Sequence, residues 1–588
     1  MDCKERVLSD NYVDFVVDFP VEIALTPGNV LCEIELGEGY AVVYESLPVA
    51  NAYWGGPLHY RYTPKLYGLM DLQSMGGDTA GKVTAAQLAQ EPFDPSALIA
   101  SGILGVQREP LSLTGRGCVI CLIDTGVDYT DPAFRREDGS SRILAIWDQT
   151  IQEGMPPEGL YFGSEYTREQ INEALEAEDP YSIVPSRDTD GHGSAMAGVA
   201  AGSRVGGGSV YLGAAPDADI VIVKLKQCKS YLRNYYYLPE DVPAYSEADI
   251  MLAVKYADTF AETFQRPVVI CLGLGTNMGD HDGNSFLAGY LSRIGTRRSR
   301  TVVVCGGNEG NAAHHFFGRI PVEAGRADGY RDVEVRVAEG VRGFVMEFWG
   351  TVPDLYNVTI RSPGGETIPP IRLGVESETT QGFIYERTRI TIQSVLVEAN
   401  SGEQLVVFRV NQPTAGIWNF RVTAASPLHN GSFHLWLPIT DFLTGECYFL
   451  EPDPNTTLTE PSMASGVLCV SAYNDANNSF YLESGRGFAR TGRIRPDLAA
   501  PGVNISTVLG RQTGTSLAAA LTAGAAAQFL QWAVVEGNSL LAETTEVRNY
   551  FIQGAVRSPE RSYPDREWGY GRLNLRGVFD VLAGVTGG

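Results

Sequence analysis

Three short segments of the chain carry side chains that together have the chemistry to cleave a peptide bond. Asp124 begins Asp124-Thr-Gly, His192 stands in Gly-His192-Gly-Ser, and Ser516 stands in Gly-Thr-Ser516-Leu. A serine hydroxyl is a weak nucleophile near neutral pH, so it needs a neutral imidazole to take its proton as it attacks a carbonyl. A carboxylate then holds the imidazole tautomer and stabilises the imidazolium. The order Asp, His, Ser is one of the known orders of such a triad, which predicts a nucleophile at Ser516.

A fourth segment supplies a candidate donor for the oxyanion that forms during such an attack. The run Val302-Val-Val-Cys-Gly-Gly-Asn308 puts an amide side chain just after an apolar stretch. We expect Asn308 and the backbone N–H of Ser516 to form the oxyanion hole. Each segment alone has an ordinary interpretation, because such residues commonly serve as turn formers, loop residues or helix N-caps. The combination in this order predicts the catalytic site.

These side chains need a scaffold that brings distant parts of the chain to one edge. Continuous β-branched runs at residues 118–123, 220–225, 268–272 and 301–305 predict strands that are buried on both faces, as in parallel sheets covered by helices. Asp124 follows the first of these runs, and catalytic side chains gather at the carboxyl ends of parallel strands. Apolar spacing predicts one helix over 246–264, and Ala-rich composition predicts another over 516–532. The expected fold class is therefore α/β, with a parallel sheet and helices on both faces.

Changes of texture along the chain divide it into four expected parts. Residues 1–95 predict a small α+β unit followed by a Gly- and Ala-rich connector, and residues 96–318 carry the first buried strands. Residues 319–454 show short alternating strands between Gly, Pro and Asn turns, which is typical of an antiparallel β-sandwich. The buried-strand texture returns over 455–588. We therefore expect one α/β domain, interrupted in sequence by an inserted β-domain.

Composition narrows the classes of partner. The 588 residues include 45 Lys and Arg against 70 Asp and Glu, a net charge of −25, which disfavours nucleic acids and anionic membranes as general partners. No run of 18 apolar residues predicts a membrane span, and the charged start predicts no signal peptide, so we expect synthesis in the cytoplasm. The nine cysteines are expected to be reduced, and five of them lie in apolar runs: Cys118, Cys121, Cys271, Cys305 and Cys469.

The four catalytic segments resemble the motif blocks of the subtilisin-like (subtilase) serine peptidases. The resemblance covers residues 96–318 and 455–588. The inserted β-domain and the segments 142–149 and 514–520 are further similar to the clostridial Csp germination proteases, which carry a jelly-roll insertion and activate a spore cortex-lytic proenzyme. The resemblance thus implies a serine endopeptidase that acts on a protein or peptide, and a location in the spore.

The resemblance also implies roles for other parts of the chain. Residues 1–95 resemble a prodomain that assists folding, inhibits the cleft and is released by autocleavage between Arg61 and Ser96, at a bond that the sequence leaves open. Cys271, Leu272 and Gly273 resemble the strand that pairs with substrate. Ala133 stands where relatives have a calcium-binding carboxylate, so no metal or other cofactor is expected. A catalytically idle regulator with the same fold, acting by protein contacts, is the alternative.

Overall fold

The computed structural model describes residues 3–18, 32–46, 63–74, 93–204, 211–322, 329–370 and 376–584. Most of the predicted connector over 75–95 lies outside these ranges. The N-terminal unit contains α1 (Cys3–Leu8), β1 (Tyr12–Asp18), β2 (Cys32–Gly37), β3 (Tyr40–Ser46), β4 (Leu66–Leu69) and β5 (Gln73–Ser74). Its first three strands form an antiparallel sheet in the order β1-β3-β2, whereas β4 and β5 pair with strands of the main body. This agrees with the expected small α+β unit.

One pair of cysteines departs from the expectation of reduced thiols. Cys3 and Cys32 form a disulfide that ties α1 to β2, with a Cα–Cα distance of 5.4 Å. No local motif indicates this pairing, because the two residues are separated by 29 positions and meet only when α1 packs against the sheet. The other seven cysteines are free and buried, as expected for the five in apolar runs.

The first part of the α/β body holds most of the central strands. Its elements are α2 (Ser96–Ala100), α3 (Ile103–Gln107), β6 (Val119–Asp124), β7 (Ile143–Asp148), β8 (Ser164–Thr167), α4 (Arg168–Glu176), α5 (His192–Ala201), β9 (Ser203–Arg204), β10 (Tyr211–Leu212), β11 (Asp219–Lys224), α6 (Ser230–Tyr236), β12 (Tyr245–Ser246), α7 (Glu247–Phe264), β13 (Val268–Leu272), β14 (Leu274–Gly275), α8 (Phe286–Gly295) and β15 (Arg300–Cys305). The four predicted strands and the helix after Ser246 therefore form close to the predicted bounds.

The inserted domain is built from two antiparallel sheets. Its strands are β16 (His315–Arg319), β17 (Tyr330–Val337), β18 (Gly343–Gly350), β19 (Tyr356–Arg361), β20 (Thr367–Ile368), β21 (Glu376–Gly382), β22 (Arg389–Val395), β23 (Gln404–Asn411), β24 (Gly416–Ala424), β25 (Ser432–Trp436) and β26 (Cys447–Phe449). One sheet has the order β16-β25-β18-β23-β22-β21 and the other β20-β19-β24-β17-β26, with an apolar core between them. Because β16 pairs with β25, the sandwich begins slightly before residue 319.

The second part of the body completes the sheet and supplies a long buried helix. Its elements are β27 (Leu468–Asn474), β28 (Ser479–Phe480), β29 (Leu498–Pro501), β30 (Ile505–Thr507), β31 (Gly510–Thr513), α9 (Thr515–Leu530), α10 (Thr544–Gly554) and α11 (Leu575–Leu582). In the described chain, the stretch Thr515–Val535 is the one helix long and apolar enough to span a membrane, and 83% of its apolar window is buried inside the fold.

The central sheet has the order β28-β27-β15-β13-β6-β11-β7-β8, and β29 also pairs with β27. The inner strands run parallel, while β8 and β28 are antiparallel. β6, β13 and β15 are buried along their whole length because α5 and α9 cover one face and α7 and α8 cover the other. This architecture places the ends of β6, β13 and β15 side by side.

Candidate active site

The first two candidate residues meet where a strand ends and a helix begins. Asp124 is the last residue of β6, and His192 is the first residue of α5. The Asp124 carboxylate oxygens lie 2.8 and 2.9 Å from Nδ1 of His192. Both side chains are buried, with relative exposures of 1% and 4%. A carboxylate at Nδ1 favours the tautomer that carries its proton there, which leaves Nε2 free to accept a proton.

The third candidate completes the line of hydrogen bonds. Ser516 is the second residue of α9, and its Oγ lies 3.1 Å from Nε2 of His192. At this distance the hydroxyl and the imidazole can form the hydrogen bond that joins a nucleophile to its base. The Ser516 side chain is fully buried, and its N–H lies in the first turn of a helix, where backbone N–H groups lack partners in the helix. The fold thus brings together three side chains that are distant in the sequence.

The surroundings of His192 favour its protonated form. Burial lowers the pKa of the imidazole, but the charge of Asp124 and its hydrogen bond outweigh this effect, and Asp190 and Asp71 add to it. The result raises the pKa of His192 to about 9. Stabilisation of the imidazolium is what a base needs while it holds the proton taken from a nucleophile.

A network around Asp188, to which sequence reasoning gave no role, holds the loop after β6 against the start of α5. Thr125 Oγ donates to one oxygen of Asp188 at 2.9 Å, and Ser194 Oγ donates to the other at 2.7 Å. Thr125 in turn accepts the N–H of Gly193 at 2.9 Å. These bonds join the neighbours of Asp124 to the neighbours of His192, so Asp188 positions the pair. In the sequence, the signal that could have indicated this network is the pair of hydroxyl residues, Thr125 and Ser194, beside the two motifs.

Asn308 follows β15 with its amide group held in one orientation. Its Oδ1 accepts the N–H of Thr515 at 3.1 Å and the Thr515 hydroxyl at 2.8 Å. Its Nδ2 therefore points into the cleft, where it donates to the backbone oxygen of Asp71 at 3.0 Å. An amide N–H beside the candidate nucleophile is suited to bind an oxyanion. Thr515 is a positioning residue that the sequence analysis did not single out.

The cleft is occupied by the chain itself. β4 pairs antiparallel with β14 on one side and with β12 on the other, and β5 pairs with β31. Between β4 and β5, the N–H of Met70 donates to the oxygen of Gly273 at 3.0 Å. The Met70 carbonyl oxygen accepts from Ser516 Oγ at 3.1 Å and lies 3.3 Å from Nε2 of His192. Residues 66–74 therefore cross the candidate site as an extended peptide.

The strand that pairs with this peptide begins later than expected. Gly273 contacts the seated peptide, but Cys271 and Leu272 are buried inside β13 and pair with β6 and β15. Leu274 and Gly275 form the pairing strand instead. A side chain at position 273 would come within 2.9 Å of Cε1 of His192 and still closer to Sδ of Met196, so a glycine leaves space for both side chains. The pairing strand begins after the expected residues because β13 remains in the central sheet through Leu272.

A protein metal site needs several His, Cys, Asp or Glu side chains close together. Among the described residues, no group of three or more His, Cys, Asp or Glu side chains is arranged to hold an ion. Ala133 is buried in a short 3₁₀ turn. His314 contacts Glu309 at 2.7 Å, and His315 contacts His434 at 2.9 Å, so each of these adjacent histidines has a protein partner.

Comparisons with known proteins agree with this architecture. The sequence profile of the subtilase family matches residues 115–325 and 449–571. The solved CspB protease of Clostridium perfringens is 30% identical, with a TM-score of 0.73, over 83% of this chain and 99% of that chain. Sphericase (TM-score 0.40) and the S41 psychrophilic protease (0.39) are each 15% identical over 80% of this chain and 97% of theirs. No curated protein sequence gives a significant match.

The family match covers more than half of the chain, and the CspB protease matches 83% of it. The sequence-based predictions of an α/β subtilase fold with additional antiparallel sheets and of a Csp-type relative are therefore confirmed. The chain belongs to the subtilase family and is a serine endopeptidase similar to the Csp-type proteases.

Proposed function

We propose that Ser516 is the nucleophile of this endopeptidase, His192 its general base and Asp124 the residue that orients His192. The observation that carries the proposal is the line of hydrogen bonds from Asp124 through His192 to Ser516, with an extended peptide lying across it. The geometry supplies a base within reach of the hydroxyl and a peptide carbonyl next to it.

The proposed reaction proceeds through an acyl-enzyme. Ser516 Oγ bonds to the scissile carbonyl carbon while its proton passes to Nε2 of His192. The amide of Asn308 and the N–H of Ser516 stabilise the oxyanion. His192 then gives its proton to the leaving amine as the C–N bond breaks. Water attacks the acyl-enzyme by the same path and restores Ser516.

We propose that the first bond cut is the chain's own Met70–Asp71 bond. Met70 is the residue whose N–H pairs with Gly273 and whose carbonyl contacts Ser516, which supports its place as P1, the residue before the scissile bond. The Asn308 amide is bonded to the next carbonyl, that of Asp71. Attack therefore requires the Met70 oxygen to turn toward Asn308. The observed orientation of the Met70 carbonyl is that of a resting state.

The contacts of the chain before this bond support a role as a prodomain. Its sheet packs on α7 and α8, and its last strand fills the cleft. We propose that residues 1–70 assist folding and block the site until they are displaced by a protein substrate. By likeness to the Csp type, that substrate is a protein which cleavage activates, and the enzyme acts in the spore.

The test compares wild type with Ser516→Ala on a denaturing gel. The wild-type chain of 63.7 kDa is expected to release a fragment of 70 residues, about 8 kDa, and the variant to stay whole. A fluorophosphonate probe, which bonds to an activated serine, is expected to label wild type only. Intact and unlabelled bands from both proteins would refute the proposal and leave a catalytically idle subtilase-fold protein.

A further inference from the structure

A turn of the inserted domain lies against the peptide in the cleft. Residues Thr440–Phe442 form one 3₁₀ turn, and Ile439 precedes it. Ile439 and Phe442 are buried, with exposures of 1% and 2%. They belong to the same apolar cluster as Met70 and Leu66 of the seated segment. The inserted domain therefore contributes a wall to the cleft, although this turn lies 74 residues before Ser516 and more than a hundred residues after Asn308, His192 and Asp124 in the sequence.

A side chain at residue 68 would require the buried side chains of the wall to shift. A Cβ placed on Gly68 would lie 2.5 Å from Cδ1 of Ile439 and 3.2 Å from Cε1 of Phe442. Gly68 is in β4 and has no positive φ, so its backbone conformation is one that any residue adopts. The requirement for glycine therefore comes from the wall and not from the backbone.

The same turn reaches past the scissile bond. Asp441 shares a side-chain hydrogen bond with Asp71, the residue after Met70. Both side chains line a cavity of about 350 Å³ together with Asn308 and Glu309. The turn thus contacts the peptide on both sides of the Met70–Asp71 bond. Contacts of this kind, within the strand that occupies the cleft, are those that a substrate strand in the same place would meet.

We propose that Ile439 and Phe442 of the inserted domain are specificity-determining residues that select glycine at P3, the third residue before the scissile bond. The proposal rests on the function proposed above, because it takes Met70 as P1 and therefore Gly68 as P3. Pairing of Gly68 with Gly275 on β14 fixes this register. The preferred substrate is a protein segment with glycine two residues before a medium-sized apolar residue.

The test is a size exchange across the contact. Gly68→Ala is expected to slow autocleavage about tenfold or more, since overpacking of a buried site is costly. Ile439→Val removes the Cδ1 atom that the new methyl would meet, so Gly68→Ala/Ile439→Val is expected to cleave within about threefold of wild type. Gly382→Ala is the control, because a Cβ at that strand position has no atom within 4 Å, and it is expected to cleave at the wild-type rate.

A second measurement separates this proposal from the catalytic one. In the Ser516→Ala background, which cannot cleave, Gly68→Ala is expected to lower Tm by about 2 °C and Ile439→Val to restore it. If wild type never cleaves, the catalytic proposal fails while this pair still tests the wall. The proposal would be overturned if Gly68→Ala cleaved itself at the wild-type rate. It would also be overturned if Ile439→Val failed to restore both the cleavage rate and the Tm.

Discussion

In the proposed mechanism, the protonation state of His192 sets the pH at which the enzyme works. Only its neutral form can take the proton from Ser516, yet Asp124 favours the charged form and raises the pKa to about 9 despite burial. The same carboxylate that supports the imidazolium during reaction thus moves the onset of activity to higher pH. This compromise is a property of one side-chain pair.

The rate of autocleavage is therefore expected to rise with pH up to about 9, beyond the usual 6.5 of histidine. Asp124→Asn removes the main influence that raises the pKa of His192. We therefore expect the pH profile of the variant to shift to lower pH, with a rate about 10⁴-fold below that of wild type. The measurement is the rate of fragment release after transfer of refolded protein to a series of pH values. A wild-type profile centred at or below pH 6.5 would contradict the assigned environment.

Asp441 is a second residue whose charge is set by its neighbours. Burial raises its pKa to about 7, and the charges of Asp71 and Glu309 and the hydrogen bond to Asp71 act in the same direction. Glu483 faces the same cavity. Because two carboxylates share one hydrogen bond, one of them must carry a proton.

The folded state therefore holds a proton that the unfolded chain releases near the usual value of 3.8. Stability that depends on this proton is present in acid and is lost as the pH rises from about 4 to 7. We expect the Tm of the uncleavable Ser516→Ala chain to fall over this window, and the fall to be smaller with Asp441→Asn added. An equal fall in both proteins would show that another group is responsible.

At the scale of elements, the site depends on how a loop and a helix are joined. Asp188 accepts hydrogen bonds from Thr125, which follows β6, and from Ser194, which is in α5. Its two oxygens also accept the N–H groups of Gly191 and Ser194 at 2.9 Å. The carboxylate thus fixes the distance between the end of β6 and the start of α5.

Asp188→Asn keeps the shape of this side chain but replaces one accepting oxygen with a donor. We expect a loss of about 2 kcal/mol in the free energy of unfolding, the order of a charged hydrogen-bond network that loses an acceptor, together with slower autocleavage. Thermal unfolding in the Ser516→Ala background gives the stability, and fragment release in the Asp188→Asn single variant gives the activity. Asp138→Asn, in an exposed turn, is the control and should change neither.

The elements that the sequence predicted are those with a local signal. β13 and α7 have continuous β-branched or helically spaced apolar residues, and their observed bounds lie within one residue of the predicted ones. Asp124, His192 and Ser516 could be singled out as candidates because each stands in a short motif at the end of such an element. Burial on both faces leaves a strong pattern in the residues themselves.

Features that depend on contacts across the fold were not predicted. Met70 lies in a short apolar segment with no motif, and its place in the cleft follows from pairing with β14 and β12. Asp441 reaches the site only because the inserted domain folds back on the body. The pairing strand was expected at Cys271 to Gly273 because sequence alone does not show where β13 leaves the central sheet.

At the scale of the whole molecule, Lys65 joins three parts of the chain. It is in the N-terminal unit, and its backbone N–H donates to Glu247 at the start of α7 at 3.1 Å. Burial lowers the pKa of Lys65, but carboxylates of the body and of the inserted domain outweigh burial and raise it: Glu247, Glu347, Glu398 and Glu460. A charged lysine among these groups holds the seated peptide, the body and the sandwich together.

Lys65→Met leaves these carboxylates without their central cation. We expect a loss of about 3–5 kcal/mol in the free energy of unfolding, because removal of one partner uncovers buried charge. The measurement is denaturant unfolding in the Ser516→Ala background. Lys255→Met, at a partly exposed position of α7, is the matched control and should change stability by less than about 0.5 kcal/mol. Equal effects of the two substitutions would contradict the role given to Lys65.

Ser516 is proposed to cut the peptide that lies across it in the folded chain. The most direct measurement is the intact mass of each fragment after wild type and Ser516→Ala are folded side by side. We predict a wild-type fragment that ends at Met70, a second that begins at Asp71, and one uncut species in the variant. A wild-type chain that stays whole, or a cut that also occurs in Ser516→Ala, would contradict the account.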